Sequence, residues 1–120
     1  MGTRVIPTDQ WMGYLNSIST IKRKADVRVE LKSDEFGDKV IAERAPLLAV
    51  MSEQKGSEAC AVDIEIGHQE VGNADRLTHS VICTSKLQVE EDESGDPRKI
   101  DIIGEDPRTH AKVTTVVRFL

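Results

Sequence analysis

The clearest structural signal in the chain is the stretch Ala25-Asp26-Val27-Arg28-Val29-Glu30-Leu31-Lys32. Val27, Val29 and Leu31 alternate with charged residues, and a period of two puts apolar and charged side chains on opposite faces of an extended strand. Antiparallel sheets commonly have one face on the core and the other in water, which is the pattern seen here. The stretch therefore predicts an antiparallel sheet with one buried face.

The same alternation recurs towards the C-terminus, between turns rich in Gly, Asp and Pro. Sequential strands joined by short turns pair antiparallel, because parallel pairing needs long crossover connections. Val and Ile together supply 22 of the 120 residues, and their branched Cβ favours strands over helices. Pro46 lacks an N–H and should lie at an edge, bend or bulge. Further strands are predicted over 39–43, 60–66, 77–83, 87–89, 100–102 and 111–119, and Pro46 is expected to split the first of these from the apolar run 47–51.

Segments 60–66 and 77–83 are predicted to form a hairpin with one inner face. Its predicted pairs are Ile66 with Leu77, Ile64 with His79, Val62 with Val81, and Cys60 with Cys83. The two thiols and the imidazole fit a pair of small buried hydrophobes beside a core histidine. A cross-strand disulfide and a zinc site are the alternatives, although structural zinc requires four ligands and no fourth is visible.

Upstream of Ala25 the period changes to that of a helix. Pro7, Thr8 and Asp9 predict a helix start, and Trp11, Leu15 and Ile18 then recur at helical spacing. A helix of about three turns, predicted over residues 8–21, is too short to be stable alone and must dock on the sheet. The sequence predicts a single α+β domain over residues 1–120: a short N-terminal helix packed on a strongly bent antiparallel meander of six to seven strands. A small Sm-like or SH3-like barrel would also fit.

Charge and composition limit the partners. With 21 acidic and 16 basic side chains the formal net charge is −5, which opposes approach to phosphate backbones and anionic lipid. The basic run Lys22-Arg23-Lys24 is typical of a solvated helix end, where cations are favoured. No stretch approaches the ~20 apolar residues of a membrane span. We therefore expect a cytoplasmic protein with no membrane contact, and nucleic acid is disfavoured as a partner.

No motif carries chemistry at the spacing that chemistry needs. The acidic segment Glu90–Asp96 resembles a calcium loop, but Pro97 follows it and its flanks are predicted strands rather than helices. The sequence has no Gly-rich phosphate loop and no nucleophile elbow. It predicts no catalytic residue, no metal and no cofactor, and it favours a non-enzymatic protein.

Four short pieces resemble a family of small, uncharacterised bacterial proteins, a domain of unknown function. They are Thr3-Arg4-Val5-Ile6-Pro7 with Trp11, Ala42-Glu43-Arg44-Ala45-Pro46-Leu47, Leu77-Thr78-His79, and Thr114-Thr115-Val116-Val117-Arg118-Phe119. The resemblance implies a free-standing bacterial protein and assigns no catalytic residue. A helix followed by bent strands is also similar to the start of Sm-like RNA-binding proteins, although fold analogy alone does not carry function.

The function that the sequence favours is a non-enzymatic binding or assembly module with a protein partner. A homo-oligomer could form by pairing of exposed strand edges, since the last predicted strand runs to the C-terminal residue. One alternative is a small-molecule-binding protein or unrecognised enzyme with a pocket between helix and sheet, and another is Sm-like RNA binding. The candidate interaction or pocket residues are Trp11, Arg44, His79 and Arg118.

Overall fold

A computed structural model describes residues 2–35, 37–55, 59–67, 76–81, 84–106 and 108–120 of the chain. These residues form eight β-strands, a short 3₁₀ helix and one α-helix. The strands are β1 (Gly2–Ile6), β2 (Asp26–Ser33), β3 (Gly37–Lys55), β4 (Ala59–Gly67), β5 (Arg76–Val81), β6 (Lys86–Glu91), β7 (Pro97–Glu105) and β8 (Lys112–Phe119). The 3₁₀ helix covers Thr8–Gln10 and leads directly into α1 (Trp11–Ile21).

The strands form one antiparallel sheet in the order β1-β6-β7-β8-β2-β3-β4-β5. The predicted α+β class is confirmed, but the barrel is wrong: the sheet is open, with β1 and β5 at its two ends. The predicted count of six to seven strands is also too low, because β1 precedes the helix in a stretch too short to show alternation. A barrel forms only when the two end strands of a sheet pair with each other. Bending of the strands alone does not determine whether they do.

The helix closes the inner face of this curved sheet. Trp11, Leu15 and Ile18 are buried, which confirms the predicted apolar face. The Ser19 hydroxyl donates to the carbonyl oxygen of Val50 and accepts from its N–H, both at 2.8 Å. These two bonds fasten the helix to β3, and the core lies between α1 and the inner-face side chains of the sheet.

The predicted hairpin register is confirmed where the structure describes it. Ile66 lies opposite Leu77, Ile64 opposite His79, and Val62 opposite Val81. Cys83 lies outside the described residues, so the predicted Cys60–Cys83 pair, and the disulfide and zinc alternatives with it, stay predictions.

The last strand is not an edge. β8 lies between β7 and β2, and its residues Thr115, Val116 and Val117 are all buried. The prediction that the last strand is an unprotected edge is therefore wrong, and the homo-oligomer itself stays a prediction. Sequence order suggested an edge, but long-range pairing with β2 places this strand near the middle of the sheet.

Strand β3 changes partner along its 19 residues. Its first half pairs with β2 as far as Pro46, and from Leu47 it pairs with β4. A ladder irregularity follows between Leu47 and Ala49. Pro46 thus marks a bend between two partners, as predicted, although the strand continues through it.

Candidate binding groove

The structure gives each of the four predicted site residues a different partner. Trp11 is 4% exposed, and its indole N–H donates to the carbonyl oxygen of Ile6 at 2.8 Å. This bond joins the start of the helix to the end of β1. Trp11 is therefore part of the core rather than the wall of an open pocket.

His79 joins β5 to β8 across the inner face. Its Nε2 lies 3.3 Å from Oγ1 of Thr115, a fully buried hydroxyl on β8. Burial lowers the pKa of His79 below 6.5, because a charged imidazolium would lose hydration there. The ring helps to hold the far end of the sheet against its middle.

Arg118 belongs to the outer face, opposite the helix. Its Nε donates to Oε1 of Glu30 at 2.6 Å, and this bond lowers the pKa of Glu30. Arg118 lies in register between Arg28 on β2 and Lys99 on β7. Like charges directly opposite repel, and carboxylates beside them, such as Glu30 and Glu90, compensate for this row of cations.

Arg44 is the one predicted residue that lies at a concave surface. A groove of about 320 Å³ runs along β3 where the strand approaches Pro46. The groove is lined by Ile41, Ala42, Glu43, Arg44, Ala45, Ile66 and Gly67. Its floor is aliphatic and its rim carries one acidic and one basic side chain, the mixture that is typical of binding sites.

Two consecutive bulges build this groove. The aligned pairs are Val27 with Ala45, Val29 with Ala42, and Glu30 with Val40. Glu43 and Arg44 therefore oppose the single residue Arg28, and Ile41 is an extra residue opposite no partner. Bulges bend a strand and re-aim side chains, and they recur beside functional sites. Here they direct Ile41 and Arg44 to the groove.

Within the described ranges, the first half of β3 has backbone pairing on one side. Among the described residues, Gly37–Pro46 pairs with β2 on one side only, because pairing with β4 begins at Leu47. An unpaired edge presents N–H and C=O groups that can template another strand. This edge and the groove occupy the same segment of β3.

Electrostatically the groove presents one well-placed cation. The side chain of Arg44 is 63% exposed, and its Nε donates to Oδ2 of Asp26 at 2.8 Å. That bond uses one of the five N–H donors of a guanidinium, whose planar fork suits carboxylates and phosphates. Asp26 thus orients Arg44 while leaving donors for a ligand.

Gly67 brings the end of β4 close to the groove wall. A Cβ at Gly67 would lie 2.9 Å from Cγ of Pro46, closer than side chains pack. The absence of a side chain at this position therefore lets β4 approach the bend of β3. Sequence reasoning singled out Arg44 but missed Ile41, Ile66 and Gly67, since the bulges that align them leave no periodic pattern.

A second cavity, of about 330 Å³, lies at the far end of β2. It is lined by Lys32, Ser33, Asp34, Asp38, Lys112 and Thr114. Two cations and two carboxylates face one small space, so they balance each other, and the lining offers little apolar surface. This cavity is a poorer candidate than the groove.

In the acidic hairpin loop between β6 and β7, Asp92 bonds within the turn. Oδ1 of Asp92 accepts bonds from the backbone N–H groups of Ser94 and Asp96 and from the Ser94 hydroxyl. These bonds lower the pKa of Asp92 and form a turn. Within the described ranges, no three His, Cys, Asp or Glu side chains are grouped as a metal site would require.

No helix in the described part of the chain is long and apolar enough to cross a bilayer. The only described α-helix has 11 residues, whereas a span needs about 20.

The profile of a family described as "Family of unknown function (DUF5335)" matches residues 2–118. An uncharacterised protein of Aquifex aeolicus (strain VF5) is 34% identical over 55 residues, which are 46% of this chain and 50% of that protein. The match thus spans about half the length of that relative. The Bacillus subtilis YojF protein, known from a crystal structure, aligns with a TM-score of 0.51 over 100% of this chain and 96% of its own, at 9% identity. At that identity the likeness concerns the fold alone.

Proposed function

The chain belongs to the DUF5335 family, whose function is unknown, and on that premise we propose that it is a non-enzymatic binding module. Its ligand is an extended segment of a partner protein, which adds as a strand to the free edge of β3 and places side chains in the groove. The observation that carries this proposal is the coincidence, in residues 40–46, of a free edge, a double bulge and a cavity.

The free edge supports binding of backbone rather than of a compact ligand. In β-augmentation the main-chain bonds supply affinity and alternate side-chain pockets supply specificity. The first half of β3 offers backbone groups on one side and the aliphatic surface of Ile41, Ala42 and Ile66 beside them. Both parts of that binding mode are therefore present in one place.

The volume and charge of the groove define the ligand further. A cavity of about 320 Å³ is at the lower end of the ~300–1,000 Å³ range of small-molecule sites, so it suits one or two side chains better than a cofactor. Arg44, oriented by Asp26, favours an acidic residue in the partner segment. We expect an apolar side chain in the groove and a carboxylate near Arg44.

The pocket between helix and sheet that the sequence suggested has less support. Trp11 is 4% exposed with its N–H bonded to Ile6, and His79 bonds Thr115. Both polar groups serve the fold. The groove at Arg44 is the better location for a ligand.

The proposal can be tested by selecting a random peptide library against the immobilised protein and measuring the affinity of the enriched peptides. Arg44→Ala should weaken binding by about tenfold through loss of a charge-assisted bond, and Ala42→Leu should weaken it by filling the groove. Arg108→Ala, which removes an exposed arginine elsewhere, is the matched control and should have no effect. Melting curves would verify that each variant is folded. Enriched peptides that bind all variants as tightly as the wild type would contradict the proposal.

A further inference from the structure

Helix α1 carries no charged residue in a chain whose composition is 31% charged. One face, with Trp11, Leu15 and Ile18, is buried against the sheet. The opposite face, of Gly13, Asn16, Ser17 and Thr20, is exposed, and on its two flanks Met12 is 57% and Ile21 is 71% exposed. Surface helices ordinarily place charged residues opposite the core. The absence of charge on this exposed face is therefore unusual and suggests that the face contacts another molecule.

The hydroxyls on this exposed face are turned inwards. Ser17 Oγ donates to the carbonyl oxygen of Gly13 at 3.0 Å, and Thr20 Oγ1 donates to that of Asn16 at 3.1 Å. Each donor is satisfied within the helix, so the side chains present mainly their carbon atoms outwards. The exposed surface is thereby less polar than its sequence suggests.

Charged residues flank the neutral face with opposite signs. Asp9 precedes the helix, and Arg23 and Lys24 follow it; all three are exposed. None of the three side chains pairs with another described residue, whereas the neighbouring Lys22 is bonded to Asp96 at 3.0 Å. The surface is thus negative at one end, neutral in the middle and positive at the other end.

We propose that this face is the contact surface between two copies of the chain, related by a two-fold axis that passes between Asn16 and Ser17. In an antiparallel pair with that centre, Gly13 of one copy lies level with Thr20 of the other. Asp9, just before the helix of one copy, then lies at the same end of the pair as Arg23 and Lys24, just after the helix of the other copy. An isologous contact uses the same patch on both copies, and this patch is complementary to itself in charge.

The charge distribution also selects a second copy rather than a different partner. Each chain carries a formal charge of −5, so most surfaces of two copies repel each other. The helix face brings no like charges together and pairs opposite charges at both ends. Antiparallel helices at a distance of about 8–10 Å also oppose their dipoles favourably.

The contact is small, so the dimer is weak. A helix of 11 residues is about 16 Å long, and a pair of such helices buries less than the ~1,200 Å² of a stable interface. The surface lies on α1 and not on β3, so this inference is independent of the proposed function. A weak dimer of this kind predicts that the dimeric fraction rises with protein concentration.

Sedimentation velocity of the full chain from about 10 µM to about 1 mM, the range expected for such small interfaces, tests the inference. The weight-average mass of the wild type should rise towards that of two copies. Asp9→Lys places three cations together at both ends of the contact and should weaken the dimer by about tenfold. Combining it with Arg23→Glu and Lys24→Glu reverses both signs and should restore association.

Glu93→Lys, at an exposed position of the β6–β7 loop, makes the same change in net charge and is the matched control. It should leave the dimer as strong as in the wild type, or slightly stronger. A wild type that stays monomeric throughout, equal effects of Asp9→Lys and Glu93→Lys, or no recovery in the triple variant would overturn the inference.

Discussion

Hydrogen bonds from single side chains join distant elements of this fold. Trp11 joins the helix to β1, Ser19 joins it to β3, and His79 joins β5 to β8. The apolar role of Trp11 was predictable from helical spacing, because periodicity reports which face is buried. The bond from its indole N–H to the carbonyl of Ile6 was not predictable, because it depends on β1, a strand too short to show an alternating pattern.

Trp11→Phe should destabilise the fold through its lost N–H donor. The substitution leaves the carbonyl oxygen of Ile6 buried without this partner, at an expected cost of about 1–3 kcal/mol, and it adds a small cavity. Denaturant unfolding would measure the change. A loss below about 0.3 kcal/mol would mean that the bond contributes little.

His79 should make stability depend on pH. Burial lowers the folded-state pKa of His79 below its reference value of 6.5, so the folded state binds fewer protons than the unfolded state. This contribution is fully present above pH 6.5 and is lost as the pH falls from there through the folded pKa.

The measurement for His79 is the free energy of unfolding between about pH 5 and 7.5, the range over which imidazoles titrate. His79→Gln should flatten the curve below pH 6.5. Parallel curves for wild type and His79→Gln would refute the role assigned to burial.

Strand β3 shows how far an element could be predicted. A strand after the turn at 34–38, an apolar run over 47–51 and an interruption at Pro46 were predictable, because all three are local properties. The hairpin register of β4 and β5 was also predictable, since a slip of one residue would turn every side chain to the wrong face. The double bulge at 41–44 was not predictable, because its extra residues can be recognised only once β3 is aligned with β2.

Gly67→Ala should disturb the approach of β4 to β3. The added methyl would lie 2.9 Å from Cγ of Pro46, and a proline ring cannot swing away, so a loss of about 1–3 kcal/mol is expected. Gly13→Ala is the matched comparison, because nothing lies within 4 Å of its Cβ. At low protein concentration it should stabilise the helix by about 0.5–1 kcal/mol. Equal effects of the two substitutions on the melting temperature would contradict this reading of Gly67.

For the molecule as a whole, composition and alternation predicted the α+β class and the antiparallel sheet, because these depend on which residues are buried. Strand order did not follow from them. β8 pairs with β2 at a sequence separation of 80 to 92 residues, and β1 pairs with β6 on the far side of the helix. The barrel and the exposed last strand were wrong for that reason, and the edge proposed for binding is the first half of β3.

Amide hydrogen exchange followed by NMR, with and without a peptide selected on the wild type, gives the sharpest test of binding at β3. Along a strand, successive amides point to opposite sides. Peptide should slow exchange at those amides between residues 38 and 44 that are directed away from β2, and should leave the amides bonded to β2 unchanged. Protection centred on β1 or elsewhere in the sheet, or no added protection under saturating peptide, would contradict a binding module built on the free edge of β3.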